Sequence, residues 1–289
     1  MLASLRSRLR RWLIEAPSTA ASVEDGPGAG LQPVPDPGLH DSMLGGWFQN
    51  RTGELLRGFH VSATDTVVDV GCGDGKFAYF CGNQGAEIVL ADVDADSLGK
   101  AKERVLATSA RSVVAHVVKD GEPLPVATEV ASRVVAMEVL EHVSDPVAFM
   151  RELVRIGKPG AQYLISVPGT LSESVQRTLA PPGYFEPPNH IRIFTPEAFE
   201  SLIVSSGLVV EHKENYGFFH AIWWSFFWTC DQELQAPWHP LLKSWEHTWG
   251  LLLATRDGEK VKRSLDAHMP KSQAIIARKP LNPEDALRD

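Results

Sequence analysis

The chain has 289 residues, 44% hydrophobic and 22% charged, with a formal net charge of −8. That length can bury a sizeable core and predicts one large domain with additions. The acidic balance disfavours polyanionic substrates and a nucleic-acid partner, which would call for basic patches. Cys72, Cys81 and Cys230 are odd in number and far from metal-ligand spacing, so a reducing, cytoplasmic compartment and no metal are expected. No apolar run reaches the ~18 residues of a spanning helix.

Residues Met1 to Ala16 set Arg6, Arg8, Arg10 and Arg11 among Leu2, Leu5, Leu9, Trp12 and Leu13. On a helix the leucines share one face, which predicts a short basic amphipathic helix suited to an anionic membrane surface or a partner, or else a solvated or self-packed terminal helix. The arginines interrupt any apolar core, which argues against a cleaved signal peptide. Residues 17–38, rich in Pro, Gly, Ala and Ser, read as a flexible linker. The folded body is expected to begin near His40. Met43, Leu44, Trp47, Phe48, Leu55, Leu56 and Phe59 fall at roughly helical intervals and predict one or two helices before the first strand.

Thr66 to Phe80 is the stretch around which the rest of the chain is organised. Val67, Val68 and Val70 form a β-branched run suited to a buried parallel strand, and Gly71, Gly73 and Gly75 alternate before an apolar helical stretch. Such glycines let the backbone turn sharply and approach a ligand at a helix start. A dinucleotide fingerprint would need a glycine where Lys76 stands, which disfavours a nicotinamide-dependent oxidoreductase. Asp69 at the strand's mouth suits a ligand carrying an ammonium.

An acidic residue followed by Gly-x-Gly-x-Gly resembles the first motif of the class I S-adenosylmethionine-dependent methyltransferases. Further along, Met137-Glu138-Val139-Leu140-Glu141-His142-Val143 is similar to the form found in members grouped with ubiquinone- and menaquinone-biosynthesis enzymes. The Asn-His-Ile-x-x-Phe-Thr-Pro string beginning at Asn189 resembles the same group. The likeness covers about Val67 to Val210. It implies a Rossmann-like, doubly wound α/β sheet of seven strands with the last antiparallel, and S-adenosylmethionine as cofactor.

The intervening elements read consistently with that fold. A helix begins at Phe77, and Ile88 to Ala91 form the second strand. Asp92, 21 positions beyond Gly71, is placed to accept the ribose hydroxyls, with Val93 against the adenine. Asp94 or Asp96 starts a helix over Ser97 to Ala107. Val113 to Val118 form the third strand. Asp120 fills the position whose carboxylate, by the resemblance, meets the adenine amino group; the resemblance extends the cofactor contacts to Cys72, Gly121, Met137 and Glu138. The Phe-Asp pair usual before the fourth strand is replaced by Ala131-Ser132. Arg133 to Met137 form that strand, Asp145-Pro146 open a helix ending at Ile156, and Ala161 to Val167 supply the fifth strand.

Beyond Pro168 a stiff loop, Pro181 to His190, is expected above the carboxyl ends of the strands, where an acceptor pocket belongs. A helix starts at Thr195-Pro196-Glu197 and stops near Gly207, and Leu208 to Glu211 form the sixth strand. Six of eight tryptophans then lie between Tyr216 and Trp249. These aromatics read as a lid packed on the core, a wall for a hydrophobic or sugar substrate, or a shallow membrane contact. A helix over Gly258 to Ala267, a strand over Ser272 to Ala277 and a disordered tail from Pro280 complete the reading. The methyltransferase domain is thus expected over 40–279, with a cofactor core at 66–167 and a substrate or lid region at 168–256.

Methyl transfer from a sulfonium is an in-line displacement that needs alignment and exclusion of water rather than a metal or covalent intermediate. For a hydroxyl acceptor a general base helps, and His142, just beyond the fourth strand, and His190, in the proline-rich loop, are the candidates. Their structural alternatives are a helix start for His142 and loop hydrogen bonds for His190. Tyr184, Glu186 and Trp223 are candidate substrate contacts. The reading is methyl transfer to a small or lipid-like acceptor at oxygen; the alternative is a noncatalytic cofactor-binding sensor or partner subunit.

Overall fold

The computed structural model describes residues 36–282. The basic segment 1–16, nearly all of the linker and most of the expected tail lie outside the described residues. Helix α1 (Pro37–Leu44) opens on Asp36, whose carboxylate accepts from Gly38 N and Leu39 N, with Pro37 in the first turn. The linker therefore ends earlier than its composition implies.

The helices expected between Met43 and Phe59 are replaced, after α1, by a small antiparallel sheet of β1 (Trp47–Gln49), β2 (Glu54–Leu56) and β3 (Phe59–His60). Gly46, Gly53 and Gly58 all take positive φ (92°, 72° and 90°). Three glycines in this short span weaken a helix and supply left-handed turns, so the apolar residues are sorted by hairpins instead.

The main sheet takes the expected course: β4 (Thr66–Val70), α2 (Lys76–Asn83), β5 (Glu87–Asp92), α3 (Ala95–Leu106), β6 (Ser112–Val117), β7 (Ala131–Met137), α4 (Pro146–Ile156) and β8 (Gly157–Pro168). Helix α5 (Thr170–Leu179), which the sequence did not announce, leads through a 3-10 turn at Pro182–Phe185 to α6 (Pro196–Ser205) and β9 (Val209–Tyr216). The chain ends its described course in α7 (Phe218–Thr229), α8 (Pro240–Leu253), α9 (Gly258–His268) and β10 (Ser272–Arg278). Strand order is β6-β5-β4-β7-β8-β10-β9, and β10 runs antiparallel to both β8 and β9. The seven-stranded sheet with an antiparallel last strand is thus as expected.

Two apolar layers cover the sheet, one gathering Met150, Leu153 and Phe199, the other Leu55, Phe59 and Leu90. A third cluster unites Trp223, Trp224, Phe227 and Trp249 with Tyr184. The aromatic segment is thus largely self-packed: Trp223 donates to Glu246 Oε1 at 3.0 Å, Trp245 to Phe219 O at 2.9 Å, and Trp249 to Asp41 Oδ1 at 2.9 Å, which ties α8 to α1. Among the described residues no helix is long and apolar enough to cross a membrane.

Candidate functional site

The order of strands reverses between β4 and β7, and in open α/β sheets ligands bind outside the carboxyl ends of the strands at such a point. Here β4 runs into Gly71, Gly73 and Gly75, all at positive φ. A Cβ on Gly71 would stand 2.5 Å from Val139 Cγ2, so the turn after β4 nests directly on the loop after β7. Asp92, at the end of β5, accepts from Gly73 N (2.8 Å) and Asp94 N (2.9 Å), which fixes the glycine turn to the neighbouring strand.

A cavity of about 330 Å³ opens beside this turn, and Gly71, Asp92, Val93, Asp120, Gly121 and His142 all line it. Asp120 Oδ2 accepts from Ser144 N at 3.0 Å across the cavity wall. Asp69 is 1% exposed, and its Oδ2 has no hydrogen-bond partner. Burial, with Asp92 and Asp74 nearby, pushes its carboxyl up to about 8. A buried, orphaned carboxyl oxygen beneath a glycine turn fits a ligand that brings an ammonium.

The other predicted cofactor residues sit differently. Cys72 and Met137 are buried in the apolar layer that holds Leu55, Phe59 and Leu90, and neither lines the cavity. Glu138 has φ 55° and engages Lys271 Nζ at 2.7 Å and Ser166 Oγ at 2.8 Å, a buried network rather than the cavity wall. Burial alone would lower the Lys271 pKa, but Glu138, Glu173 and Glu141 raise it.

Beside the cavity the structure brings His142 and His190 together, ring centroids 4.9 Å apart and edge to face. His142 Nδ1 lies 3.3 Å from Pro188 O. A carbonyl can only accept, so Nδ1 carries a proton, and Nε2 lies 3.6 Å from Glu141 Oε1. His190 Nδ1 lies 2.8 Å from Glu173 Oε2, which orients that ring in the same sense. Burial raises the Glu173 carboxyl, but His190, Lys271 and Tyr184 together leave it below its ordinary value. Tyr184 donates to Glu173 Oε1 at 3.4 Å, and its ring is 4.5 Å from His190.

Glu141 is fully buried and neither of its oxygens has a hydrogen-bond partner. Burial and the neighbouring Glu138 charge push its pKa well up. Glu141, His142 and His190 each place one donor atom within 4.8 Å of the others, a carboxyl and two imidazoles with the chemistry to hold a divalent cation. The two histidines stand 48 positions apart, which hides this grouping from a search for metal-ligand spacing.

Two predicted contacts fall outside the cluster. Glu186 is exposed, because the 3-10 turn directs Tyr184 inward and the proline pair after it runs along the surface. Trp223 stacks on Phe227 within the α7–α8 layer and is 1% exposed, so helix packing claims it. Glu173, Glu141 and Lys271 were not singled out from the sequence. Glu141 stood in a quoted motif, whereas Glu173 depends on the unannounced α5.

A family model described as a methyltransferase domain matches residues 37–213, more than half of the chain. Methyltransferase GfsG of Streptomyces halstedii is 33% identical over 143 residues, 48% of this chain and 51% of that protein. A ubiquinone biosynthesis O-methyltransferase of Aliivibrio fischeri is 33% identical over 115 residues, 39% of this chain and 47% of the relative. The chain spans about half the length of these curated relatives. The crystal structure of the (4+2)-cyclase SpnF superposes with a TM-score of 0.52 at 17% identity, covering 86% of this chain and 82% of that one, a likeness of fold. With the glycine turn, the cavity and the sheet order in agreement, the chain belongs to the methyltransferase domain family, of the class I fold whose cofactor is S-adenosylmethionine.

Proposed function

We propose that the protein transfers the methyl group of S-adenosylmethionine to an oxygen of a small or lipid-like acceptor. The observation that carries this reading is the junction of two half-sites: His142 lines the cavity beside the glycine turn and also meets His190 under the proline-rich loop. In this reading Gly71, Gly73 and Gly75 admit the cofactor, Asp69 takes its ammonium, Asp92 the ribose hydroxyls, Val93 the adenine face, and Asp120 with Gly121 the adenine edge. The segment 168–256 supplies the acceptor side, with Tyr184, packed 4.5 Å from the His190 ring, as an aromatic contact.

The chemistry balances with this chain's own groups. The methyl carbon–sulfur bond breaks as a carbon–oxygen bond forms, and the acceptor's proton passes to an imidazole Nε2. His142 is the first candidate because it borders the cavity, and His190, oriented by Glu173, is the second. Identity to an oxygen methyltransferase of ubiquinone biosynthesis supports oxygen as the target. The test is incubation with S-adenosylmethionine and a panel of catechols, phenols and long-chain phenolic lipids. S-adenosylhomocysteine and a methyl ether are expected in equal amounts. Cofactor binding without product over the whole panel would instead favour a noncatalytic sensor or partner.

A further inference from the structure

Three main-chain carbonyls of one loop turn toward a single side chain. The Arg192 guanidinium donates through Nη1 to Leu140 O (3.0 Å) and Val143 O, and through Nη2 to Ser144 O (3.1 Å). The same two chain segments are stitched by Ile191 N to Glu141 O at 3.0 Å and by His142 Nδ1 to Pro188 O. Residues His142 to Asp145 form one wall of the cavity, and Arg192 holds that wall from the acceptor side. On the cavity side, Ser144 N donates to Asp120 Oδ2.

We propose that Arg192 is a positioning residue for cofactor recognition, holding the loop 140–144 so that the Ser144 amide fixes Asp120 against the adenine edge. This rests on the methyltransferase reading. A planar guanidinium can satisfy three carbonyls at once because its N–H donors are fixed in a fork. An ammonium in its place has a different geometry and cannot span the same set. Loss of the fork releases the Val143 carbonyl, whose peptide unit carries the Ser144 N–H, and so turns that amide and frees Asp120 to swing; the consequence falls on discrimination at the adenine amino group. The acceptor-side loop therefore sets cofactor selectivity without touching the cofactor.

The experiment is calorimetric titration of the full chain with S-adenosylhomocysteine and with S-inosylhomocysteine, whose 6-oxo group presents an acceptor to Asp120 where adenine presents a donor. The wild-type chain is expected to prefer the adenosyl ligand by at least about tenfold, the equivalent of one good hydrogen bond. In Arg192→Lys the adenosyl affinity is expected to fall about tenfold while inosyl affinity holds, so the preference approaches unity. An unchanged preference, or equal loss for both ligands, overturns the proposal. Arg192→Gln, which keeps donors for one carbonyl, takes the place of the lysine variant should that fail to fold. Amide exchange in the wild-type chain is an independent readout: Ser144 is expected to be protected, and rapid exchange there contradicts the proposal. Wild-type protein that binds neither ligand sinks the methyltransferase reading itself, whereas normal wild-type discrimination retained in both variants sinks the role of Arg192 alone.

Discussion

His142→Ala is expected to lower methyl transfer by roughly 10²- to 10⁴-fold, the range for removal of a positioned general base. Affinity for S-adenosylhomocysteine should stay within a few-fold, because the glycine turn and Asp92 are untouched. The reason to expect so large an effect is orientation. The Pro188 carbonyl commits Nδ1 to donating, which leaves Nε2 as the basic atom. Turnover on an accepted substrate and calorimetric affinity are measured on the same preparation. Unchanged turnover would move the base to His190, whose ring is held by Glu173.

Asp69→Asn carries the second large expectation, and it is a dependence on pH. The Asp69 carboxyl is pushed from an ordinary 3.8 up to about 8 in the folded chain. Between those values the folded state keeps a proton that the unfolded state has released, so stability falls as pH rises across that window. Below it both states are protonated, and above it both are ionised with the full penalty present. A displacement of about four pH units corresponds to an upper bound of roughly 5 kcal/mol. Asparagine never ionises, so the variant should gain on the wild type in urea midpoint from pH 5 to pH 8.

The same substitution should weaken S-adenosylhomocysteine binding at pH 8 by tenfold or more, because the ligand's ammonium loses its carboxylate partner. Wild-type affinity should rise with pH toward 8 as the carboxylate becomes easier to form, and the variant's should not. Parallel stability curves for the two proteins would show that Asp69 is not held protonated.

The glycine-turn side of the candidate site was legible because its requirements are local in sequence. A β-branched strand, a glycine turn at Gly71, Gly73 and Gly75, and an acidic residue closing the next strand are each written in a few consecutive positions. Asp92, Val93, Asp120 and Gly121 all line one cavity. The histidine side of the candidate site was only partly legible. His142 and His190 were named separately, but their meeting depends on α5 and the 3-10 turn folding the loop back over β7. Helix α5 starts on Gly169 with no capping side chain to mark its beginning, and the 3-10 turn is only four residues long. Glu173 therefore had no position before the structure supplied one.

The amino-terminal error has a different cause. Trp47, Phe48, Leu55 and Leu56 satisfy a helical interval in sequence, but Gly46, Gly53 and Gly58 decide the backbone, and the same apolar residues are buried equally well from a hairpin. In the tryptophan-rich segment, composition gave three uses for one set of side chains. Indole hydrogen bonds to Glu246, Phe219 and Asp41 choose packing for Trp223, Trp245 and Trp249, a choice made by tertiary partners that lie 23 to 208 residues away.

The most direct measurement is a crystal structure of the full chain grown with saturating S-adenosylhomocysteine. The expected density lies in the cavity between Gly71, Asp92 and Asp120, with the amino group over Asp69 and the sulfur turned toward His142. A clear cavity, or the ligand bound elsewhere, would contradict the assignment of this crevice as the donor site.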